Sequence, residues 1–133
     1  MRLILDCNIW ISFLIGHQVR FVQRILTDSR FDVYVCDQLL DELYDVVNRE
    51  KIRKYVSTKD VQELFRIIHS YCLTSAIEIE AQSDIRDPKD LYLLSFAESI
   101  HADYIVSGDA DLLVLGEYRQ TKVIKLSDLK GML

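Results

Sequence analysis

The sequence predicts an α/β fold: a three-layer α/β/α sandwich around a mostly parallel central sheet of about five strands. Three observations carry this. Short apolar runs of strand length alternate with longer stretches whose apolar residues recur at helical spacing, as in a parallel sheet covered on both faces. The four Gly and one Pro are scattered, so no linker or low-complexity tract divides residues 1–133, and one domain is expected. Half of the residues are hydrophobic. A chain of this length can hide roughly two-thirds of its unfolded surface in one core.

The elements follow in order. Arg2 to Leu5 reads as a short strand, ending at Asp6, and Asn8 is placed to cap the turn into the apolar run Ile9 to Ile15. A helix is expected from about Arg20, with Val19, Val22 and Leu26 on one stripe and Phe21 and Ile25 beside it. Phe31 to Cys36 is a second strand. Asp37 is then a candidate cap for a helix to about Asn48 or beyond, with Leu39, Leu40, Leu43, Val46 and Val47 inward. Ser57 and Asp60 have capping-box spacing before a helix carrying Val61, Leu64, Phe65, Ile68 and Cys72. The alternation in Ala76 to Glu80 suggests an edge strand. A helix from Pro88 to about His101, an apolar strand Tyr104 to Val106 and a last strand Lys122 to Leu126 complete the pattern.

Several function classes recede on composition. The longest apolar stretch, Ile9 to Ile15, is broken by Ser12 and is far too short to cross a bilayer. The first strand leaves no room for a signal peptide, so a cytoplasmic protein without a membrane partner is expected. Cys7, Cys36 and Cys72 are odd in number and lack CxxC spacing, which reads as small buried thiols rather than a disulfide frame or zinc site. His17, His69 and His101 have no ligand spacing either. A net charge of −5 argues against holding nucleic acid by bulk attraction to its phosphates.

The acids at the strand ends carry the chemistry. In open parallel sheets the ligand crevice lies beyond the carboxyl ends of the strands, where strand order reverses. Asp6 follows the first strand, and "SGDADLL" places Asp109 and Asp111 after the strand Tyr104 to Val106, with Gly108 suited to a tight turn. Capping a following helix accounts for any one of these acids. Their recurrence is less easily explained. On the helix after Asp37, Asp41 and Asp45 point to solvent while Glu42 falls on the flank of the apolar stripe. In "DPKDLYLLSFA", Asp87 and Pro88 suffice to start a helix, whereas Asp90 shares the core-facing stripe of Leu93, Leu94 and Ala97. Five acids, Asp6, Glu42, Asp90, Asp109 and Asp111, thus point toward one crevice with no basic residue assigned to neutralise them. Crowded carboxylates repel, and a divalent cation is the simplest compensation. Oxygen ligands alone favour Mg²⁺ or Mn²⁺ over zinc, and such ions commonly act on phosphate groups.

These residues bring out a resemblance that spans essentially the whole chain. The apolar strand with D-x-N at Asp6, Cys7 and Asn8, the L-x-E-L helix at Leu40, Glu42 and Leu43, the segment "RDPKDLYLLSFA" and the T-x-D-x-D-L-like "SGDADLL" are similar to the four motifs of PIN domains, of the small kind that includes VapC-like toxins. The resemblance implies a PIN-like fold and a metal-dependent endoribonuclease that hydrolyses RNA with Mg²⁺ or Mn²⁺ by in-line attack of water. It makes Asp6, Glu42, Asp90 and Asp109 the catalytic, metal-binding acids and Asp111 an additional ligand or supporting acid. Asn8 and Ser107 become supporting residues. Cys7 stands where the family usually has Thr, and Ser107, also replacing a Thr, keeps the hydroxyl. The resemblance further implies a toxin-antitoxin setting, with a partner antitoxin occluding the crevice and the toxin itself a homodimer, for which the helices of Val19 to Leu26 and Val61 to Cys72 offer surfaces.

Arg49, Lys51, Arg53 and Lys54 form a basic cluster that is a candidate RNA contact, and a solvated charged face accounts for it as well. Tyr44 and Tyr55 are candidate base-stacking residues, whereas Trp10 reads as core. Two other functions compete. A haloacid-dehalogenase-like phosphatase also puts an Asp after its first strand, but its motif is D-x-D and Asn8 stands at the second Asp. A binding module with the same fold and weakened catalysis is the other.

Overall fold

The computed structural model describes residues 1–16 and 19–133, and only the backbone of residues 19 and 20. Six strands form one sheet: β1 (Arg2–Leu5), β2 (Asp32–Val35), β3 (Leu73–Thr74), β4 (Tyr104–Val106), β5 (Glu117–Tyr118) and β6 (Thr121–Ile124). Their order is β3-β2-β1-β4-β6-β5, and every neighbouring pair is parallel except β5 with β6. The helices are α1 (Cys7–Ile15), α2 (Val19–Thr27), α3 (Asp37–Val47), α4 (Glu50–Arg53), α5 (Thr58–Tyr71), α6 (Pro88–Ile100), α7 (Ala110–Leu115) and α8 (Leu126–Gly131).

Consecutive strand residues point to opposite faces. Leu3, Ile4 and Leu5 are all fully buried, as are Ile105 and Val106, so both faces of the sheet are covered. The core continues through Trp10, Phe13, Leu39, Leu43, Ile68, Leu94 and Phe96. On the helices of Val19 to Leu26 and Val61 to Cys72, expected to offer self-association surfaces, Val22, Ile25, Val61, Leu64 and Ile68 are buried, whereas Phe21, Leu26, Phe65 and Cys72 are only partly so. The Val19 side chain and His17 lie outside the described residues.

The chain leaves β1 toward β2 on one side and later returns to β4 on the other, so β1 is the point where strand order reverses. The Asp6 N–H donates to the Val106 carbonyl at 2.9 Å and joins the carboxyl ends of β1 and β4. That adjacency sets the site.

The structure departs from the expected elements at several places. Residues 7–15 form a helix in their own right, and Asp6 rather than Asn8 is its N-cap. Asp37 does not cap α3: Cys36 is the N-cap, and Asp37 lies within the first turn, at the positive end of the helix dipole. The capping box of α5 forms, with the Asp60 N–H donating to Ser57 Oγ at 3.1 Å and the Ser57 N–H to Asp60 Oδ2 at 2.9 Å. The edge strand beside β2 is β3, and Ala76 to Glu80 is not a strand. Its Glu78 and Ile79 N–H groups donate to Ser99 Oγ at 2.8 and 2.9 Å, so side chains of α6 hold an extended segment that no ladder pairs. β5 and β6 form a short hairpin turning at Arg119, whose φ is 54°. The turn at Gly108 uses no positive φ.

Candidate metal centre

Asp6 is fixed at both oxygens. Capping of α1 brings the Cys7 N–H to Oδ1 at 2.6 Å, and the Ser107 hydroxyl donates to Oδ2 at 2.7 Å. Asp6 is only 6% exposed, and its pKa is raised, first by burial, against the lowering effect of these two bonds, with the Glu42 and Asp109 carboxylates adding to the rise.

Ser107, fully buried just after β4, also accepts the Asp109 N–H at 3.0 Å. Asp109 in turn caps α7, accepting the Leu112 N–H at Oδ2 at 3.0 Å. Asp111 sits in the first turn of α7, where its exposed edge pairs with Arg86 at 3.6 Å. Glu42 is half-buried on α3, on the flank that the apolar stripe predicts, while Asp41 and Asp45 are exposed. Asp90 lies in the first turn of α6, after the Asp87 cap, and is 6% exposed.

Asp6, Glu42, Asp90 and Asp109 line one cleft of about 210 Å³, together with Cys7, Asn8, Ile11, Val46, Asp87, Lys89 and Leu93. On the Asp109 side, carboxylate oxygens of Asp90, Asp109 and Asp111 all lie within 4.8 Å of one another, close enough to share one ion. Asp6 and Glu42 face the same space but stand outside that triad. The Asp90 carboxyl is pushed up to about 7, first by burial, then by the Asp109 carboxylate, with Asp87 and Asp6 contributing. Asp90 Oδ2 is buried and has no hydrogen-bond partner. A buried carboxylate oxygen left unpaired is costly in an apoprotein, and a cation removes the cost. Hard oxygen donors without His or Cys suit Mg²⁺ or Mn²⁺, so these residues fit such an ion.

The other expected residues divide. Asn8 lies inside α1, and its Oδ1 accepts the Gly108 N–H at a long 3.4 Å, tying α1 to the β4 turn. The Cys7 thiol is pushed up to about 12 by burial and by Glu42 and Asp6, which favours its neutral form. None of Arg49, Lys51, Arg53 or Lys54 lines the cleft. Arg49 bonds Asp45 at 3.0 Å and Arg53 bonds Thr58 and Asn48, both at 3.2 Å, whereas Lys51 and Lys54 are exposed. Tyr44 and Tyr55 are about two-thirds exposed, and Trp10 is fully buried.

Two residues at the site are not among those the sequence singles out. Lys89 lines the cleft, although in sequence it is one more solvated residue of a first helical turn. The Tyr92 hydroxyl is buried, without a hydrogen-bond partner, close enough to Glu42 and Asp6 for their charges to raise its pKa further after burial. No sequence signal marks it, because a residue two positions from Asp90 falls on a different face of α6.

The model of the PIN domain family matches residues 2–111, a span that holds all five acids. No curated protein matches the chain in sequence. In fold the chain is similar to a chain in the crystal structure of VapBC2 from Rickettsia felis bound to a DNA fragment from their promoter, with a TM-score of 0.64 and 16% identity, covering 94% of this chain and 98% of that one. The motif residues at the ends of β1 and β4 and on α3 and α6 lie within the matched span, and the chain belongs to the PIN domain family.

Proposed function

We propose that this protein is a metal-dependent endoribonuclease, hydrolysing RNA phosphodiester bonds as the toxin of a toxin-antitoxin pair. The observation that carries the reading is the Asp90, Asp109 and Asp111 triad, whose Asp90 also has a buried oxygen without a hydrogen-bond partner. Those three residues are placed to hold the ion, with Asp6 and Glu42 completing the anionic wall. When bound, Mg²⁺ or Mn²⁺ supplies Lewis-acid polarisation of a phosphate oxygen.

The chain's own residues do the rest. Ser107 holds Asp6 and the start of α7 at a fixed separation, which keeps the acids in register. Asp6 and Glu42, on facing elements, are placed to orient a water in line with the scissile bond by accepting its hydrogens. Ile11, Val46 and Leu93 line the cleft and limit solvent there. Cys7 contributes no covalent step. Membership in the PIN family replaces the phosphatase alternative.

The toxin role is supported by the likeness to VapBC2, and it implies a partner protein that closes the cleft by setting a basic side chain among the carboxylates. Lys51 and Lys54, exposed and unpaired by carboxylates, are the members of the basic cluster left for an RNA backbone.

The test is cleavage of mixed single-stranded RNA in Mn²⁺, Mg²⁺ or chelator, run beside Asp6→Asn and Asp90→Asn. Cutting that needs the metal and falls at least 100-fold in both variants supports the reading. Cutting in chelator, or undiminished cutting by both variants, rejects it.

A further inference from the structure

Among the described residues, Lys89 is the one cation that lines the acidic cleft. It stands among Asp6, Glu42, Asp87, Asp90 and Asp109, yet none of the ion pairs among the described residues includes it. Its main chain is anchored: the Lys89 N–H donates to Asp87 Oδ1 at 2.9 Å, next to Pro88 at the start of α6. The side chain is exposed at the rim. Arg86, the other basic residue nearby, pairs with Asp111 and is not part of the cleft wall.

We infer that Lys89 binds a phosphate of the RNA substrate at the mouth of the cleft. The inference rests on the ribonuclease reading and adds to it the group that admits an anion. Phosphodiesters approaching five carboxylates are repelled, and a metal ion held by the acids would answer for only one of the phosphates in a strand. A lysine acts on phosphate as a point charge and needs no fixed fork geometry, which suits a flexible side chain at a rim. The competing role, neutralising the acids, calls for an ion pair that Lys89 does not make.

The test uses wild type, Lys89→Met, Lys89→Arg and, as a control on another exposed lysine away from the cleft, Lys59→Ala. Two quantities are measured: kcat and KM for a labelled single-stranded RNA in Mn²⁺, and equilibrium binding of that RNA in Ca²⁺, without turnover, across a salt series. Lys89→Met is expected to lower kcat/KM roughly 10- to 100-fold, mainly through KM, and to flatten the slope of log K against log salt by roughly 0.7, while Lys89→Arg restores both and Lys59→Ala matches wild type. A merely structural lysine leaves the salt slope unmoved. If wild type cuts RNA and Lys89→Met cuts equally with an unchanged slope, the inference fails and the nuclease reading stands. If wild type neither cuts nor binds RNA, both fall together.

Discussion

Ser107 donates a 2.7 Å hydrogen bond to Asp6 across 101 positions of sequence, and its hydroxyl oxygen accepts the Asp109 N–H at 3.0 Å. One buried side chain therefore sets the spacing of two acids that come from different strand ends. The bond also opposes the rise in the Asp6 pKa that burial causes. Ser107→Ala is expected to lower Mn²⁺ affinity and RNA cutting about 10- to 100-fold, the usual cost of losing a residue that orients ligands. Ser107→Thr keeps the hydroxyl and is expected to stay within a few-fold of wild type. Parallel titration and kinetics of both variants check this, and equal loss in the two contradicts the hydrogen-bonding role.

Asp90 makes metal-free stability depend on pH with a defined sign. In the unfolded chain this carboxyl ionises near 3.8, whereas in the fold it is pushed up to about 7. Between those values the folded state holds the extra proton, so stability falls as pH rises from about 4 to about 7 and levels off above. Linkage sets a ceiling of about 4 kcal/mol, of which relaxation of the cleft is expected to leave about 1–2 kcal/mol. In chelator, Asp90→Asn should therefore raise Tm by roughly 3–8 °C at pH 7.5 and by little at pH 4. A variant less stable than wild type at pH 7.5 goes against this account.

The three thiols are expected to be unreactive in the native protein. Burial raises all three, Cys7 and Cys72 to about 12, and for Cys7 the carboxylates of Glu42 and Asp6 add to the effect. Alkylation with iodoacetamide at pH 8, read by mass spectrometry, should give no adduct natively and three in denaturant. Rapid native labelling at Cys7 would mean an activated thiol in the cleft and a different chemistry.

Much of the site was legible because its acids sit where local pattern and global fold agree. Asp6 and Asp109 end apolar strand runs, and Glu42 and Asp90 break the polar rule on otherwise apolar helix faces. Their convergence depends on β1 lying beside β4, a pairing that no short-range pattern encodes. Lys89 stayed hidden for the same reason: whether a first-turn lysine faces a cleft or water is decided by elements distant in sequence. The apolar run Ile9 to Ile15 has too little polar contrast to show a helical period, as is usual for a buried helix. Ala76 to Glu80 alternates like a strand because extended backbone alternates whatever bonds it, here the Ser99 hydroxyl, which accepts from the N–H groups of Glu78 and Ile79. The β5–β6 hairpin lacks the usual Asn-Gly signal, and Arg119 takes the left-handed conformation instead.

The central claim is that dispersed acids assemble around one divalent cation, and calorimetric titration of Mn²⁺ into the protein at pH 7.5 tests it most directly. The account predicts saturable binding that Asp90→Asn and Asp109→Asn each weaken at least 10-fold, with proton release on binding that Asp90→Asn reduces. Absence of saturable binding, or the same affinity in wild type and both variants, would contradict it.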